Sequence, residues 1–189
     1  MKTNLECGID EAGRGSWAGP VVAAAVILPY NHVLEGLNDS KKISRIKREF
    51  LFNQISKSYD YGIGFSSSKE IDRYNILEAT FLAMKRAIFD LKELPKKALI
   101  DGNRLPKNFP VEAKSVIKGD EKIPSISAAS IIAKVTRDKY MKKMSLIYPG
   151  YGWEKNFGYG VEKHSLSIKK LGLTPIHRYS FKPIHNILC

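Results

Sequence analysis

Residues 21–28 read Val-Val-Ala-Ala-Ala-Val-Ile-Leu, an unbroken apolar run rich in alanine and β-branched side chains. A strand with one wet face would alternate apolar and polar residues, so this run reads as a strand buried on both faces. Pro29, Tyr30 and Asn31 end it. It is the longest apolar run in the chain and far too short to cross a bilayer, which takes about 20 residues, so no membrane role is expected.

The segments 5–10, 59–65, 98–101 and 114–117 read as further strands. Ser44 is a candidate N-cap for a helix carrying Ile46, Phe50, Leu51 and Ile55 on one face. Asn75 with Glu78 resembles a capping box ahead of the stripe Phe81, Met84, Ile88 and Leu91. A long helix is expected from about residue 125 to 146, and a last helix over 161–171, stopped by Gly172. Strands dominate the first third and alternate with helices afterwards. The pattern predicts an α/β fold, a mixed central β-sheet flanked by helices, in one domain spanning 1–189 with a small helical C-terminal part from roughly 145 to 189. There is no internal repeat or low-complexity linker.

Charge narrows the partner. Lys and Arg number 31 against 19 Asp and Glu, a formal net charge of +12. A surplus of that size favours a polyanion, because each neutralised phosphate releases a condensed counterion. A solvated basic surface fits the same composition. Cys7 and Cys189 stand at opposite ends and make neither a disulfide framework nor a metal spacing. With no secretory hydrophobic stretch near Met1, a cytoplasmic protein is expected. His164, His177 and His185 match no zinc spacing, and packing, capping or phosphate roles are expected for them.

Two acidic positions share a peculiarity. Asp10-Glu11 ends one strand-like run and Asp101 ends another, and each is followed at once by Ala-Gly or Gly. In α/β sheets chemistry gathers where strands end. Asp120, in Lys118-Gly119-Asp120 just ahead of the long helix, could join them. Carboxylates brought together repel unless a cation neutralises them, and hard oxygen donors suit Mg²⁺ or Mn²⁺. Spacing alone also permits a plain turn at each position, and by itself favours it.

On the long helix, Ser127, Ser130, Lys134 and Arg137 share one face at 3.6 residues per turn, and Ile126, Ala129, Ala133, Tyr140 and Met144 share another. The polar face would suit backbone phosphates, with the alternative of a solvated amphipathic helix. Lys41 is a further phosphate candidate, and the neighbouring run Lys42, Arg45, Lys47 and Arg48 reads as a wet basic face.

Several blocks together resemble the ribonuclease HII family, the bacterial type 2 ribonucleases H. These are Gly8-Ile9-Asp10-Glu11-Ala12-Gly13-Arg14-Gly15 with Gly19-Pro20, Leu37-Asn38-Asp39-Ser40-Lys41-Lys42, Leu99-Ile100-Asp101-Gly102, and Gly119-Asp120. The block from Ser125 to Asp138, Tyr148-Pro149-Gly150-Tyr151-Gly152, Gly158-Tyr159-Gly160 and His177-Arg178-Tyr179-Ser180-Phe181 continue it. They cover nearly the whole chain in the family's order.

The resemblance implies a ribonuclease H-like fold and an active site of four carboxylates, Asp10, Glu11, Asp101 and Asp120, holding Mg²⁺ or Mn²⁺, two ions in the substrate complex. It implies cleavage 5′ to a ribonucleotide in RNA–DNA hybrids and in duplex DNA carrying one ribonucleotide, leaving a 3′-hydroxyl and a 5′-phosphate. It implies that Gly13, Arg14 and Gly15 sense the 2′-hydroxyl and that Tyr159 senses the junction. A monomer is expected. Type 3 relatives carry an added N-terminal domain and usually Lys where Arg14 stands, which favours type 2. Two departures from the pattern are Ser16-Trp17, where Pro-Leu is frequent, and Val161, where a threonine hydroxyl is common beside Tyr159.

Overall fold

The computed structural model describes residues 5–29, 37 and 43–188. Five strands, β1 (Glu6–Ala12), β2 (Val21–Ile27), β3 (Asp60–Ser66), β4 (Lys97–Asp101) and β5 (Glu112–Val116), form one sheet in the order β3-β2-β1-β4-β5. β1 pairs antiparallel with β2, and β2 with β3; β1 pairs parallel with β4, and β4 with β5. The sheet is therefore mixed, and β1 lies at its centre.

Period-two geometry sorts the apolar run of β2 onto two faces. Val21, Ala23 and Ala25 join Cys7, Ile9, Ala98 and Ile100 in a core under α2 (Ser68–Phe89). Ala24 and Val26 join the opposite core, filled by Leu51 and Ile55 of α1 (Arg45–Ser58) and by Ala128, Ala129, Ile132 and Ala133 of α4 (Pro124–Ile147). The buried-strand reading thus holds for Val21–Ile27, with Leu28 just past the strand end. Small residues let the helices approach closely: a Cβ on Gly8 would fall 2.2 Å from the backbone nitrogen of Ile126.

The remaining helices are α3 (Gly119–Lys122), α5 (Trp153–Asn156), α6 (Glu162–Leu171) and α7 (Lys182–Leu188). Ala18, Met141, Tyr151, Trp153, Ile168 and Ile184 make a third core beneath this C-terminal part.

Helix ends follow local chemistry. Ser44 caps α1, its side chain accepting from the Lys47 N–H, as its sequence suggests. The expected capping box lies elsewhere: Ser67 and Glu70 form it and start α2 a full two turns before Asn75. Asn75 interrupts α2 with φ 69°, and its side chain accepts from the N–H groups of Leu77 and Glu78. It caps the second half of a kinked helix, and Leu91 lies just past the helix end. The helix expected over 161–171 is α6, with Gly172 at φ 78° as its stop. It is not the last; α7 follows it.

Candidate active site

Parallel pairing of β1 and β4 sets Ile9 opposite Ile100. The next residue on each strand is a carboxylate, Asp10 and Asp101. Two acids far apart in the chain therefore stand at the same end of adjacent strands. Asp101 Oδ1 accepts a hydrogen bond from the Gly119 N–H at 2.7 Å, which draws the start of α3 onto the end of β4. Asp120 is the next residue and is 1% exposed. Glu11 donates its own backbone N–H to Asp10 Oδ1 at 2.7 Å, and its side chain accepts from Arg14 Nη1 at 3.2 Å.

Electrostatics ties three of these acids together. Asp10 is buried, and its pKa is held well above the usual carboxylate range by burial first, then by the charges of Glu11 and Asp101. A hydrogen bond from Ser130 and the Glu11 N–H oppose that shift. Among the described residues no three His, Cys, Asp or Glu side chains stand close enough together to hold a metal ion as they are placed. The donor set nonetheless suits a hard divalent cation: its atoms are carboxylate oxygens, and their mutual repulsion is the cost that a cation removes.

A cavity of about 310 Å³ opens beside this cluster, with Glu11, Gly13, Ser130, Lys134 and Tyr159 in its wall. Arg48, from the basic run read as a wet face, lines it too and donates to the Ile43 carbonyl. A larger cavity of about 540 Å³, beside Pro20, Phe65 and the Arg86–Glu70 ion pair, is lined by none of the four carboxylates.

Gly13 takes φ +95°, and a Cβ there would fall 1.9 Å from Arg137 Nε, so both backbone and space require glycine. At Gly15 a Cβ would meet nothing within 4 Å, so packing within the protein does not explain this glycine. Tyr159 pairs with Ser16 in an isolated β-bridge that seats it against the loop. Its ring faces Lys134 Nζ at 5.4 Å and the Arg137 guanidinium at 5.3 Å, within cation–π range. Trp17 lies against Gly160, where a Cβ would be 2.1 Å from its ring.

The set expected to bind phosphate divides. Arg137 is fully buried; its Nε, Nη1 and Nη2 donate to the carbonyls of Pro20, Phe157 and Ala18, so it braces loops and does not face a ligand. Ser127 is 2% exposed and donates to the Leu37 carbonyl, again a structural bond. Ser130 bonds Asp10. Lys134 reaches the cavity while paired to Asp138 at 2.8 Å. Lys41 lies outside the described residues. The polar face of this helix is not a uniformly open one, because the sheet, α1 and the C-terminal part cover the stretch Ile126–Arg137 and bury Ser127 and Arg137 in it, while the last two turns are more exposed.

Arg178 carries a role that its sequence does not announce. Fully buried, it donates from Nη2 to the Gly13 carbonyl at 2.7 Å, from Nη1 to Arg14 at 2.8 Å and from Nε to Gly19 at 3.0 Å. Burial, then repulsion from Arg137, lowers its pKa. The carbonyl dipoles offset that penalty.

Comparison with known proteins places this architecture. The ribonuclease HII family model matches residues 7–184. The chain belongs to the ribonuclease HII family. It is 52% identical to ribonuclease HII of Jannaschia sp. (strain CCS1) over 185 residues, covering 98% of this chain and 93% of that one. The fold matches the crystal structure of ribonuclease H2 from Pyrococcus horikoshii OT3 with a TM-score of 0.79 at 30% identity, over 97% of this chain and 96% of that one. Bst-RNase HIII in complex with Mn²⁺ shares the fold alone, with a TM-score of 0.74 at 19% identity over 97% of this chain and 69% of that one. As a family member the chain is an endoribonuclease of the ribonuclease H class, a phosphodiester hydrolase. No helix among the described residues is long and apolar enough to cross a membrane.

Proposed function

We propose that the chain hydrolyses the phosphodiester 5′ of ribonucleotides, both in RNA–DNA hybrids and at single ribonucleotides within duplex DNA, leaving a 3′-hydroxyl and a 5′-phosphate. One observation carries this reading. Asp10 and Asp101 sit at adjacent strand ends with Asp120 tied beside them, and Glu11 lines the same cavity as Gly13 and Tyr159.

Asp10, Glu11, Asp101 and Asp120 are the residues that would hold Mg²⁺ or Mn²⁺, two ions in the substrate complex. Bound ions of this kind supply an activated water nucleophile and charge stabilisation at the leaving oxygen. Bst-RNase HIII, which shares the fold, has been seen with Mn²⁺.

The loop discriminates by backbone. In a trans peptide the C=O and the following N–H point opposite ways. The Gly13 and Arg14 carbonyls turn inward to Arg178, so the N–H groups of Arg14 and Gly15 turn away from it, free to meet a 2′-hydroxyl. That hydroxyl is what separates RNA from DNA at one position. Tyr159 stands across the cavity, where its ring can stack on the next sugar. Arg14 is half-exposed and holds Glu11, from which it can swing to a phosphate; Lys134 supplies further charge.

The test is a nicking assay on matched duplexes with one ribonucleotide, one all-ribose strand or all deoxyribose, with and without Mg²⁺ or Mn²⁺. Metal-dependent cleavage of the first two, with ends that a polymerase extends, is expected. Comparable cutting of the all-deoxyribose duplex refutes the reading.

A further inference from the structure

Two consecutive residues outside the carboxylate cluster reach both recognition elements. Arg178 holds the loop, as its three hydrogen bonds to Gly13, Arg14 and Gly19 show. His177 reaches Tyr159 through a second imidazole. The Thr174 backbone N–H can only donate, and it lies 2.9 Å from His177 Nδ1. The His177 proton is therefore on Nε2, which donates to His164 Nε2 at 3.2 Å. His164 Nε2 also accepts from the Trp153 indole N–H at 3.1 Å. Its own proton is on Nδ1, which donates to the Tyr159 carbonyl at 3.0 Å. The chain of bonds has a single consistent direction, from Thr174 to Tyr159.

Both imidazoles are fully buried, and burial lowers both pKa values, His177 to about 4, so the pair is neutral as this bonding requires. A positive charge on His164 would set two Nε2–H donors against each other, and one on His177 would set its Nδ1–H against the Thr174 N–H. Backbone contacts complete the frame: the Arg178 N–H donates to the Trp17 carbonyl, and the Trp17 N–H to the Gly158 carbonyl. Ala18 pairs with His177 in an isolated bridge.

We infer that His177 and Arg178 are positioning residues that set the separation between the 2′-hydroxyl-sensing loop and the junction-sensing Tyr159, Arg178 gripping the loop directly and His177 reaching Tyr159 through His164. The inference rests on the proposed roles of Gly13–Gly15 and Tyr159. An error of about 1 Å in such a separation can lower turnover by up to about a hundredfold without altering the chemical groups. Lysine in place of Arg178 keeps the charge but replaces a fork gripping three carbonyls with a point donor.

The experiment measures kcat and KM for Arg178→Lys, His177→Gln, Tyr159→Ala and the His177→Gln/Tyr159→Ala double variant. Substrates are the single-ribonucleotide duplex and the hybrid, in Mg²⁺. Melting temperature is recorded for each. Arg178→Lys is expected to lower kcat on the single-ribonucleotide duplex by about tenfold or more with KM nearly unchanged. His177→Gln is expected to shift the preference between the two substrates as Tyr159→Ala does. The double variant should shift it no further, because the two residues act through one element. If His177→Gln does not fold, His164→Asn, which removes the Nε2 that accepts from His177, replaces it in both single and double variants.

Unchanged kcat in Arg178→Lys, or independent multiplication of the two shifts in the double variant, overturns the inference. If Tyr159→Ala alone leaves the preference intact, the proposed role of Tyr159 fails and the inference fails with it. If Tyr159→Ala shifts the preference and His177→Gln does not, only the inference fails.

Discussion

The carboxylate of Asp101 accepts a 2.7 Å hydrogen bond from the backbone N–H of Gly119, so one side chain both belongs to the acidic cluster and fastens α3, with Asp120, to the end of β4. The two roles separate by substitution. In Asp101→Asn the amide oxygen can still accept from Gly119, so the melting temperature should stay near wild type while kcat falls more than about a hundredfold, beyond what outer partners of metal ligands contribute. Asp101→Ala should lose activity equally and also about 1 kcal/mol of stability, read from urea unfolding. Equal stabilities for the two variants would show that the tie contributes nothing.

Asp10 holds its proton more tightly when folded, because burial and the neighbouring acids disfavour its charge. Above the ordinary aspartate range the unfolded chain gives up that proton first, so this group lowers stability as pH rises toward the folded pKa. Asp10→Asn should therefore melt higher than wild type in chelator at pH 7, lose the rise in melting temperature that Mg²⁺ or Mn²⁺ gives the wild type, and not cleave. A lower melting temperature in chelator would mark Asp10 as a structural residue.

The buried imidazoles predict the opposite slope. Burial lowers both pKa values, so as pH falls below about 6.5 the unfolded chain protonates first and stability declines. For His177 the decline stops only near its folded value, about 4. Ring-proton NMR across pH 7.5 to 5.5 should show His177 neutral throughout. A titration of His177 near 6.5 would contradict the bonded pair.

Gly8 lies where α4 crosses β1, with the Ser125 carbonyl carbon and Ile126 nitrogen both 2.2 Å from a built Cβ. Backbone cannot step aside as a side chain can. Gly8→Ala should destabilise by about 1–3 kcal/mol or more, measured as a lower urea midpoint at unchanged slope.

The sequence made strand ends and acids readable together, because an apolar run that stops at a carboxylate and then glycine leaves a local signature at residues 98–102. It made the two-faced burial of β2 readable for the same reason. The fates of Ser127 and Arg137 were not readable. Helical spacing says which residues share a face, and only the tertiary packing says whether that face meets water or protein. Arg178 was harder still, since its partners are the carbonyls of Gly13, Arg14 and Gly19, and a carbonyl leaves no mark in a sequence. Asn75 fell between these cases: its capping chemistry was legible, but the two earlier turns of α2, started by Ser67, hid the kink.

The sheet order gives the acids unequal footing. Asp10 rides on the central strand, laced to a neighbour on both sides, whereas Asp120 belongs to a four-residue helix that follows the edge strand β5. Amide hydrogens around Asp10 should exchange only when the whole molecule opens, while those around Asp120 should exchange through local fraying. The cluster thus joins an acid from the middle of the sheet to one carried beyond its edge strand, so the two should differ in how soon their surroundings open.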